Sequence, residues 1–306
     1  MIRDSEHALL LDRVFLEQYE LSGEAPSQRR QPASGTVVNP HDPDVQWAAK
    51  DQNLKKQWEG YKAQLCETVD PKGEIKRKGE PTEQFLTEVT TTEAIASDLD
   101  GRQRVETNQQ AAGQELPGEL IVDGAYISAA LLAEAAEQER TLTGPARPPR
   151  GKKNTFTSAD FDVAITERTA TCPAGHASTQ CSCLAETKTG KIRYRFEWSS
   201  HCDACPLQAQ CTHSSNGRRA LLVGEHHDHL QERRPQMQTE AYQLSLNRRA
   251  GIEATISEFT RLGGRRTRYR GLAKTTLANY FTSAALNARR YLRLLQWNPQ
   301  QSAISS

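Results

Sequence analysis

One acidic residue and a run of arginines lie close together near the C-terminal end of the chain. Glu253 follows Arg249 by four residues, so both side chains share one face of a predicted helix. A glycine pair, Gly263 and Gly264, ends that helix, and a cluster of arginines follows it. Carboxylates bind metal ions, and guanidinium groups bind phosphate through paired hydrogen bonds. The arrangement indicates chemistry on a polyanion; a surface helix with a basic end is its structural alternative.

Three further acidic residues end predicted strands. Asp42 and Asp44 follow the first predicted strand, and Asp123 lies at the end of the most apolar one. In-line attack on a phosphodiester uses two divalent ions about 4 Å apart, and Mg²⁺ prefers oxygen ligands. Each carboxylate alone is more simply a strand-end or surface acid. Together with Glu253, their placement predicts a two-metal site in which Asp42 or Asp44 supplies the first ligand.

The chain has seven cysteines, an odd number that favours a reducing compartment over a disulfide framework. Four of them have the spacing C-x29-C-x2-C-x5-C, which suits a structural Zn²⁺ bound by four thiolates: Cys172, Cys202, Cys205 and Cys211. Cys181 and Cys183 form a competing C-x-C pair, and His176 or His213 could replace one ligand. Reduced cysteines in a subdomain without metal are the structural alternative.

The net charge of +1 hides an asymmetry along the chain. Residues 231–295 contain thirteen Lys or Arg against four Asp or Glu, so the residues before them carry about −8. A basic C-terminal part after an acidic body favours an enzyme that acts on nucleic acid. The sequence has no recognisable signal peptide and no apolar run of about 18 residues, which predicts a cytoplasmic protein without a membrane segment.

Strands and helices have to position these residues. Residues 6–19 have helical periodicity, and residues 22–34 read as a linker. Three strands are expected to form an antiparallel meander, at residues 35–39, 58–69 and 85–92. A helix is predicted over residues 97–112, closed by Gly113.

The rest of the predicted core alternates strands and helices. The strand at residues 119–126 is expected to join the sheet in parallel and to be buried on both faces. A helix at residues 128–138 and a strand at 141–144 follow, and the Cys-rich region reads as an inserted subdomain. The last helix, at residues 272–296, is expected to pack through its apolar residues: Leu272, Leu277, Tyr280, Phe281, Ala284, Tyr291, Leu292 and Leu295.

Several motifs occur together in this order: HDPDVQWAAK, WEGYKAQLCETVD, LIVDGAY, CPAG…HCDACPLQAQC and RRAGIEATISEF…RRTRYRGLAK. With them, residues 35–295 resemble the bacterial insertion-sequence DDE transposases, in the branch with a Cys-rich insert before the catalytic glutamate. The resemblance implies an α/β fold of the ribonuclease-H-like type. Its mixed sheet is flanked by helices and carries an inserted Cys-rich, zinc-ribbon-like β subdomain.

The resemblance also implies a division of the chain into four parts. Residues 1–34 form an N-terminal helix and linker, 35–153 the first part of the core, and 154–215 the Cys-rich subdomain. Residues 216–298 supply the helix of the catalytic glutamate, a basic segment and a C-terminal helix that completes the core. The family usually has a substantial helical DNA-binding region before the core, and only 34 residues precede it here.

The resemblance assigns a catalytic set that binds Mg²⁺ or Mn²⁺ and a phosphate: Asp42 (with Asp44 as its alternative), Asp123, Glu253 and Arg249. It supports the same four cysteines as zinc ligands. The tyrosine and lysine of the family's signature fall at Leu246 and Thr260, which puts those two contacts in question. Basic residues after the catalytic helix are expected to bind DNA: Arg261, Arg265, Arg266, Arg268, Arg270 and Lys274.

The implied function is metal-dependent cleavage and transfer of DNA strands for an insertion sequence. Double-stranded DNA, as transposon ends and as target, is the expected partner, and a homodimer is a further expectation. The alternative is a truncated, catalytically inactive remnant that only binds DNA through its basic C-terminal face.

Overall fold

The computed structural model describes residues 5–22, 25–29, 36–49, 57–69, 80–81, 83–149, 151–152, 154–187 and 190–297. The chain divides into two compact units, one made of Met1–Leu116 with Arg248–Ser306 and the other of Pro117–Asn247. Across the described ranges, no helix has the length and apolar character that crossing a membrane requires.

The described residues contain helices and strands in mixed order. The helices are α1 Glu6–Gln18, α2 Asp98–Ala111, α3 Ala129–Glu137, α4 Gln208–Cys211, α5 His227–Gln236, α6 Glu240–Asn247, α7 Ala250–Phe259 and α8 Leu272–Gln296. The strands are β1 Tyr19–Ser22, β2 Ala25–Gln28, β3 Gln46–Ala49, β4 Gln57–Glu67, β5 Leu86–Glu93, β6 Glu119–Ile121, β7 Thr141–Thr143, β8 Asp162–Ala164, β9 Thr169–Thr171, β10 Gln180–Ala185, β11 Ile192–Glu197 and β12 Ala220–Gly224.

The first unit contains an antiparallel sheet in the order β3-β4-β5. The predicted meander is confirmed for its second and third strands. Its first strand was predicted at residues 35–39; Gly35 lies outside the described residues, and residues 36–39 form no strand, because the chain turns from Asn39 onward. The Asp42 N–H donates to the Asn39 carbonyl at 2.9 Å, and the Val45 N–H donates to the Asp42 carbonyl at 3.1 Å. The first strand of this sheet is therefore β3, which begins at Gln46.

Helices α2, α7 and α8 pack against this sheet. The predicted helix before Gly113 is confirmed as α2, where Ser97 and Asp100 form a reciprocal capping box. Apolar side chains of β5, α7 and α8 meet in one small core: Leu86, Val89, Phe259 and Leu286, with Leu65 packed against them. The predicted linker after α1 contains a hairpin instead, since β1 pairs with β2.

The second unit begins with a parallel pair, β6 and β7, in which Leu120 lies opposite Leu142. β6 is parallel to β7, but in the described residues it does not pair with the strands of the first sheet. Burial of β6 on both faces is wrong, since none of its three residues is buried. Leu131 and Leu132 of α3 and Leu142 form the local core. Within the described residues the two strands form a separate two-stranded sheet. One continuous ribonuclease-H-like sheet therefore stays a prediction.

The Cys-rich part of the second unit is built from antiparallel strands. β8 pairs with β9, and β10, β11 and β12 form a three-stranded sheet in that order. Large aromatic and aliphatic side chains fill the space between these strands, and Phe196 and Trp198 are 0% and 1% exposed. The cluster consists of Phe161, Val163, Ala170, Phe196, Trp198, Leu221 and Val223.

The bounds predicted for α8 are confirmed, but the expected way of packing is wrong. Its buried face is largely polar and consists of Thr275, Asn279, Ser283, Leu286 and Arg290. The sheet surface beneath it accounts for one of these polar residues, because buried Thr91 of β5 needs a hydrogen-bond partner. Asn279 Nδ2 donates to Thr91 Oγ1 at 2.8 Å. The Asn287 amide both accepts from the Leu86 N–H and donates to the Leu86 carbonyl.

Arg290 joins α8 to α7 and β4 through a buried network. Its guanidinium lies 3.3 Å from Glu67 Oε2, with the two side chains 4% and 5% exposed. It also contacts Glu258 at 2.9 Å and donates to Thr255 Oγ1 at 2.6 Å. Thr255 in turn donates to Glu67 at 2.5 Å. Burial raises the pKa of the Glu67 carboxyl, although Thr255 and Arg290 lower it.

We expect Arg290→Gln to lower the free energy of unfolding by about 3–5 kcal/mol, because it leaves buried Glu67 without its cation. Arg293→Gln is the matched control on the same helix. Arg293 is 49% exposed and lies 3.7 Å from Glu258, so its loss should cost less than about 1 kcal/mol. Urea unfolding of the three proteins measures both values. Equal losses in the two variants would contradict a central role of Arg290.

Candidate functional site

Helix α7 presents Glu253 to solvent. The Glu253 side chain is 69% exposed and lies 3.7 Å from the guanidinium of Arg249. An exposed pair at this distance contributes little energy, so it does not bind the carboxylate firmly. The sequence prediction that these two side chains are neighbours is confirmed.

Helix α7 buries one aromatic and one polar side chain. Phe259 is buried, but Ile256 is 46% exposed. The helix instead turns Thr255 inward, where it is 0% exposed and joins the Arg290 network. This polar anchor sets the rotation of α7 about its axis and thereby turns Glu253 outward.

A basic segment, residues 261–274, follows α7. A π-turn at Thr260–Gly264 ends the helix, and Gly263 has a φ of 105°, a conformation that glycine adopts without strain. Tyr269 is 54% exposed. The basic side chains of this segment are all exposed: Arg261, Arg265, Arg266, Arg268, Arg270 and Lys274. A cluster of exposed guanidinium groups is suited to a phosphate backbone.

Asp42 and Asp44 lie at the N-terminus of α8. Asp42 Oδ1 accepts hydrogen bonds from the Tyr61 hydroxyl at 2.8 Å and from the Gly271 N–H at 3.0 Å. Asp44 Oδ2 accepts from the Leu272 N–H at 2.9 Å. Burial and the Asp42 carboxylate raise the pKa of Tyr61, so its hydroxyl stays protonated and donates. Both carboxylates stabilise the start of the helix, where the dipole favours negative charge.

Asp123 lies in the second unit, just after β6. Its Oδ1 accepts from the Ala125 N–H at 3.3 Å, and it caps the short 3-10 helix Gly124–Tyr126. The structure therefore divides the expected catalytic carboxylates between the two units, with Asp42, Asp44 and Glu253 in the first.

Four cysteines line one cavity in the second unit: Cys172, Cys202, Cys205 and Cys211. All four are free thiols. The Cys205 N–H donates to the Cys202 carbonyl at 3.3 Å, which closes the turn of the C-x-x-C pair. Cys181, Cys183 and His213 are not among the residues that line the cavity.

Two histidines also line this cavity. His176 and His201 stack with ring centroids 4.8 Å apart, and the Trp198 indole donates to the His176 carbonyl at 2.8 Å. Burial raises the pKa of the Cys211 thiol. The cavity thus contains soft donors of the type that Zn²⁺ prefers, next to a rigid aromatic core.

No three His, Cys, Asp or Glu side chains in the part of the chain that the structure describes are arranged as a group that could hold a metal ion. The residue types fit Zn²⁺ in the cavity and Mg²⁺ at the carboxylates. Metal binding therefore stays a prediction for both sets.

Sequence reasoning missed the residues that support these positions, namely Tyr61, Glu67, Thr255 and Arg290. One signal was present for Arg290. Thr275, Asn279 and Ser283 repeat every four residues and mark a polar face on α8. The partners of that face come from distant strands, so the sequence alone does not identify them.

We expect Asp42→Ala to lower the free energy of unfolding by about 1–3 kcal/mol, because the Tyr61 hydroxyl and the Gly271 N–H lose their acceptor. Asp44→Ala removes one helix cap and should cost about 1 kcal/mol. Asp162→Ala, at an exposed position, is the control and should change little. Urea unfolding measures all three, and a loss no larger than that of the control would refute the capping role.

Comparison with known proteins finds one family model that matches part of the chain. Residues 171–292 match the family model described as transposase DDE domain. The matched segment contains the four cysteines, Glu253 and the basic segment, whereas Asp42 and Asp123 lie before it. The chain matches no curated protein and no solved structure. The match supports the resemblance to the insertion-sequence DDE transposases in their catalytic, C-terminal part, over residues 171–292 of this chain.

Proposed function

We propose that the chain is a transposase that cleaves and transfers strands of double-stranded DNA for an insertion sequence. The observation that carries the proposal is the exposed pair of Glu253 and Arg249 on the helix that precedes the basic segment, within the residues that match the transposase DDE domain. Metal-dependent cleavage of a phosphodiester uses acidic side chains as metal ligands and basic side chains that bind phosphate.

The proposed catalytic carboxylates are Asp42, with Asp44 as its alternative, Asp123 and Glu253. They would hold Mg²⁺ or Mn²⁺, and bound ions would activate the attacking oxygen and stabilise the leaving one. Arg249 would contact a phosphate next to the bond that breaks. The exposure of Glu253 supports its assignment as a metal ligand. The roles proposed for the other residues rest on the resemblance to the transposase family.

DNA binding is proposed for the basic segment. Its arginines are exposed and present rigid donors that match phosphate oxygens in pairs. Transposon ends and target DNA would both be bound as duplexes, by a homodimer. The proposed framework is a ribonuclease-H-like core at residues 35–153 and 216–298, interrupted by a zinc-ribbon-like subdomain at 154–215 and preceded by residues 1–34.

Zn²⁺ is proposed as a structural ion held by Cys172, Cys202, Cys205 and Cys211. The shared cavity and the free state of the four thiols support this proposal. A structural Zn²⁺ would contribute to the folding of the small sheets around it.

A second candidate is a remnant that binds DNA without cleaving it. The observation that favours it is the lack, among described residues, of any group of acidic side chains placed to hold a metal ion. The two candidates share the basic segment and differ only in chemistry.

We expect Glu253→Gln to abolish Mn²⁺-dependent nicking while DNA affinity stays equal or rises slightly, because the loss removes a metal ligand and one negative charge. Glu240→Gln, an exposed substitution of the same kind on α6, is the control and should nick like the wild type. Nicking of pre-melted transposon ends in excess and filter binding at fixed salt measure the two properties. If the wild-type protein binds DNA but nicks no substrate, the result contradicts the proposed cleavage activity and supports the remnant that only binds DNA.

We expect the purified chain to contain about one equivalent of zinc, lost in Cys205→Ser and kept in Cys183→Ser. Cys183 is exposed and lies outside the lining of the cavity, so it is the matched control. Metal analysis after purification without added zinc gives the result. A wild type without zinc would refute the site.

A further inference from the structure

The face of α8 that points away from its polar network is apolar and exposed. Leu277 is 56% exposed, Phe281 69%, Tyr291 56% and Leu295 65%. Ala284 and Ala288 lie between them and are exposed as well. We call these six residues the apolar stripe. A stripe of this length on a well-formed 25-residue helix is costly to leave in water.

The spacing of the stripe indicates that another helix covers it. Its residues follow one another at intervals of four, three, four, three and four. This is the heptad pattern of two helices that pack side by side over a common seam. Helix α8 contains no acidic residue, and its basic residues lie outside the stripe. The seam is therefore free of charge along its whole length.

The order of side-chain sizes identifies the second helix. Reading the stripe from either end gives two large residues, two alanines and two large residues. An antiparallel copy, centred on Leu286, places Leu277 opposite Leu295, Phe281 opposite Tyr291 and Ala284 opposite Ala288. The large residues then meet large ones, and the alanines let the helix axes approach closely at the centre. Such a self-complementary surface is what a two-fold symmetric dimer requires.

Charge also favours the antiparallel direction. A parallel pair would place Arg289 and Arg293 beside their own copies. In the antiparallel pair the two copies of Arg289 are six residues apart along the axis, about 9 Å, and the copies of Arg293 about 21 Å. The repulsion between like charges is thereby reduced.

We propose that two copies of this chain form a homodimer through antiparallel pairing of their α8 helices along the apolar stripe. The two basic segments then lie at opposite ends of the helix pair, about 42 Å apart along its axis. The proposal depends on the packing of α8 alone and holds whether or not the chain cleaves DNA.

Sedimentation equilibrium of the full chain tests the dimer. We expect a dimer at about 10 µM, and Leu295→Glu should raise its dissociation constant by at least about 100-fold. Gln296→Glu adds the same charge at the next exposed position, outside the stripe, and should leave the dimer intact. Circular dichroism checks that both variants fold, which is expected because both side chains are exposed. A monomeric wild type, or a Leu295→Glu variant that still forms dimers, would overturn the proposal.

A mixing experiment tests the direction of the helices. Leu277→Glu and Leu295→Lys should each be monomeric alone, because each places a charge in the seam. Mixed in equal amounts they should form a heterodimer, since the antiparallel pair brings residue 277 of one copy opposite residue 295 of the other. Failure of the mixture to associate, with a dimeric wild type, would overturn the antiparallel arrangement.

Discussion

The buried Arg290 network is the interaction on which the first unit depends. The Arg290 guanidinium donates to Glu67 at the end of β4 and to the Gln84 carbonyl. It also donates to two side chains of α7, Thr255 and Glu258. A buried cation is stable only when its donors are all used, and this one has carboxylate, hydroxyl and carbonyl acceptors around it. The network fixes how α7 is rotated on the sheet, and with it the direction of Glu253.

Helix α8, which carries Arg290 near its C-terminal end, is capped at its N-terminus by two acidic side chains. Asp42 and Asp44 bind the N–H groups of Gly271 and Leu272, at the point where the basic segment ends and α8 begins. A helix fixed at its start and near its end is a rigid support for the basic segment. The polar surface of β5 occupies one face of α8, and this leaves the apolar stripe for a partner. Because α8 packs on the sheet through its polar face, its apolar stripe is available for the proposed contact between two chains.

The sequence predicted the positions of several helices and strands well, but it predicted poorly which of their faces are buried. The bounds of α8, the strands β4 and β5 and the helix α2 follow from local periodicity, which neighbouring residues determine. The first strand was misplaced because the Asn39–Asp42 turn competes with a short apolar run. The buried side of α8 differs from the expected one because apolar content normally marks the core, whereas buried Thr91 on β5 requires a polar partner.

For the candidate site, the sequence by itself determined the residue types and their local spacing: Glu253 one turn after Arg249, the arginines after the glycine pair, and the four cysteines, with the family that these motifs indicate. Only the tertiary structure decided which of them are exposed, capped or gathered at one cavity. Thr255, Glu67 and Arg290 lie far apart along the chain, so their contact depends on how α7, β4 and α8 pack. Local sequence fixes helices and turns, whereas contacts between distant segments arise from competition among all the surfaces that could be buried.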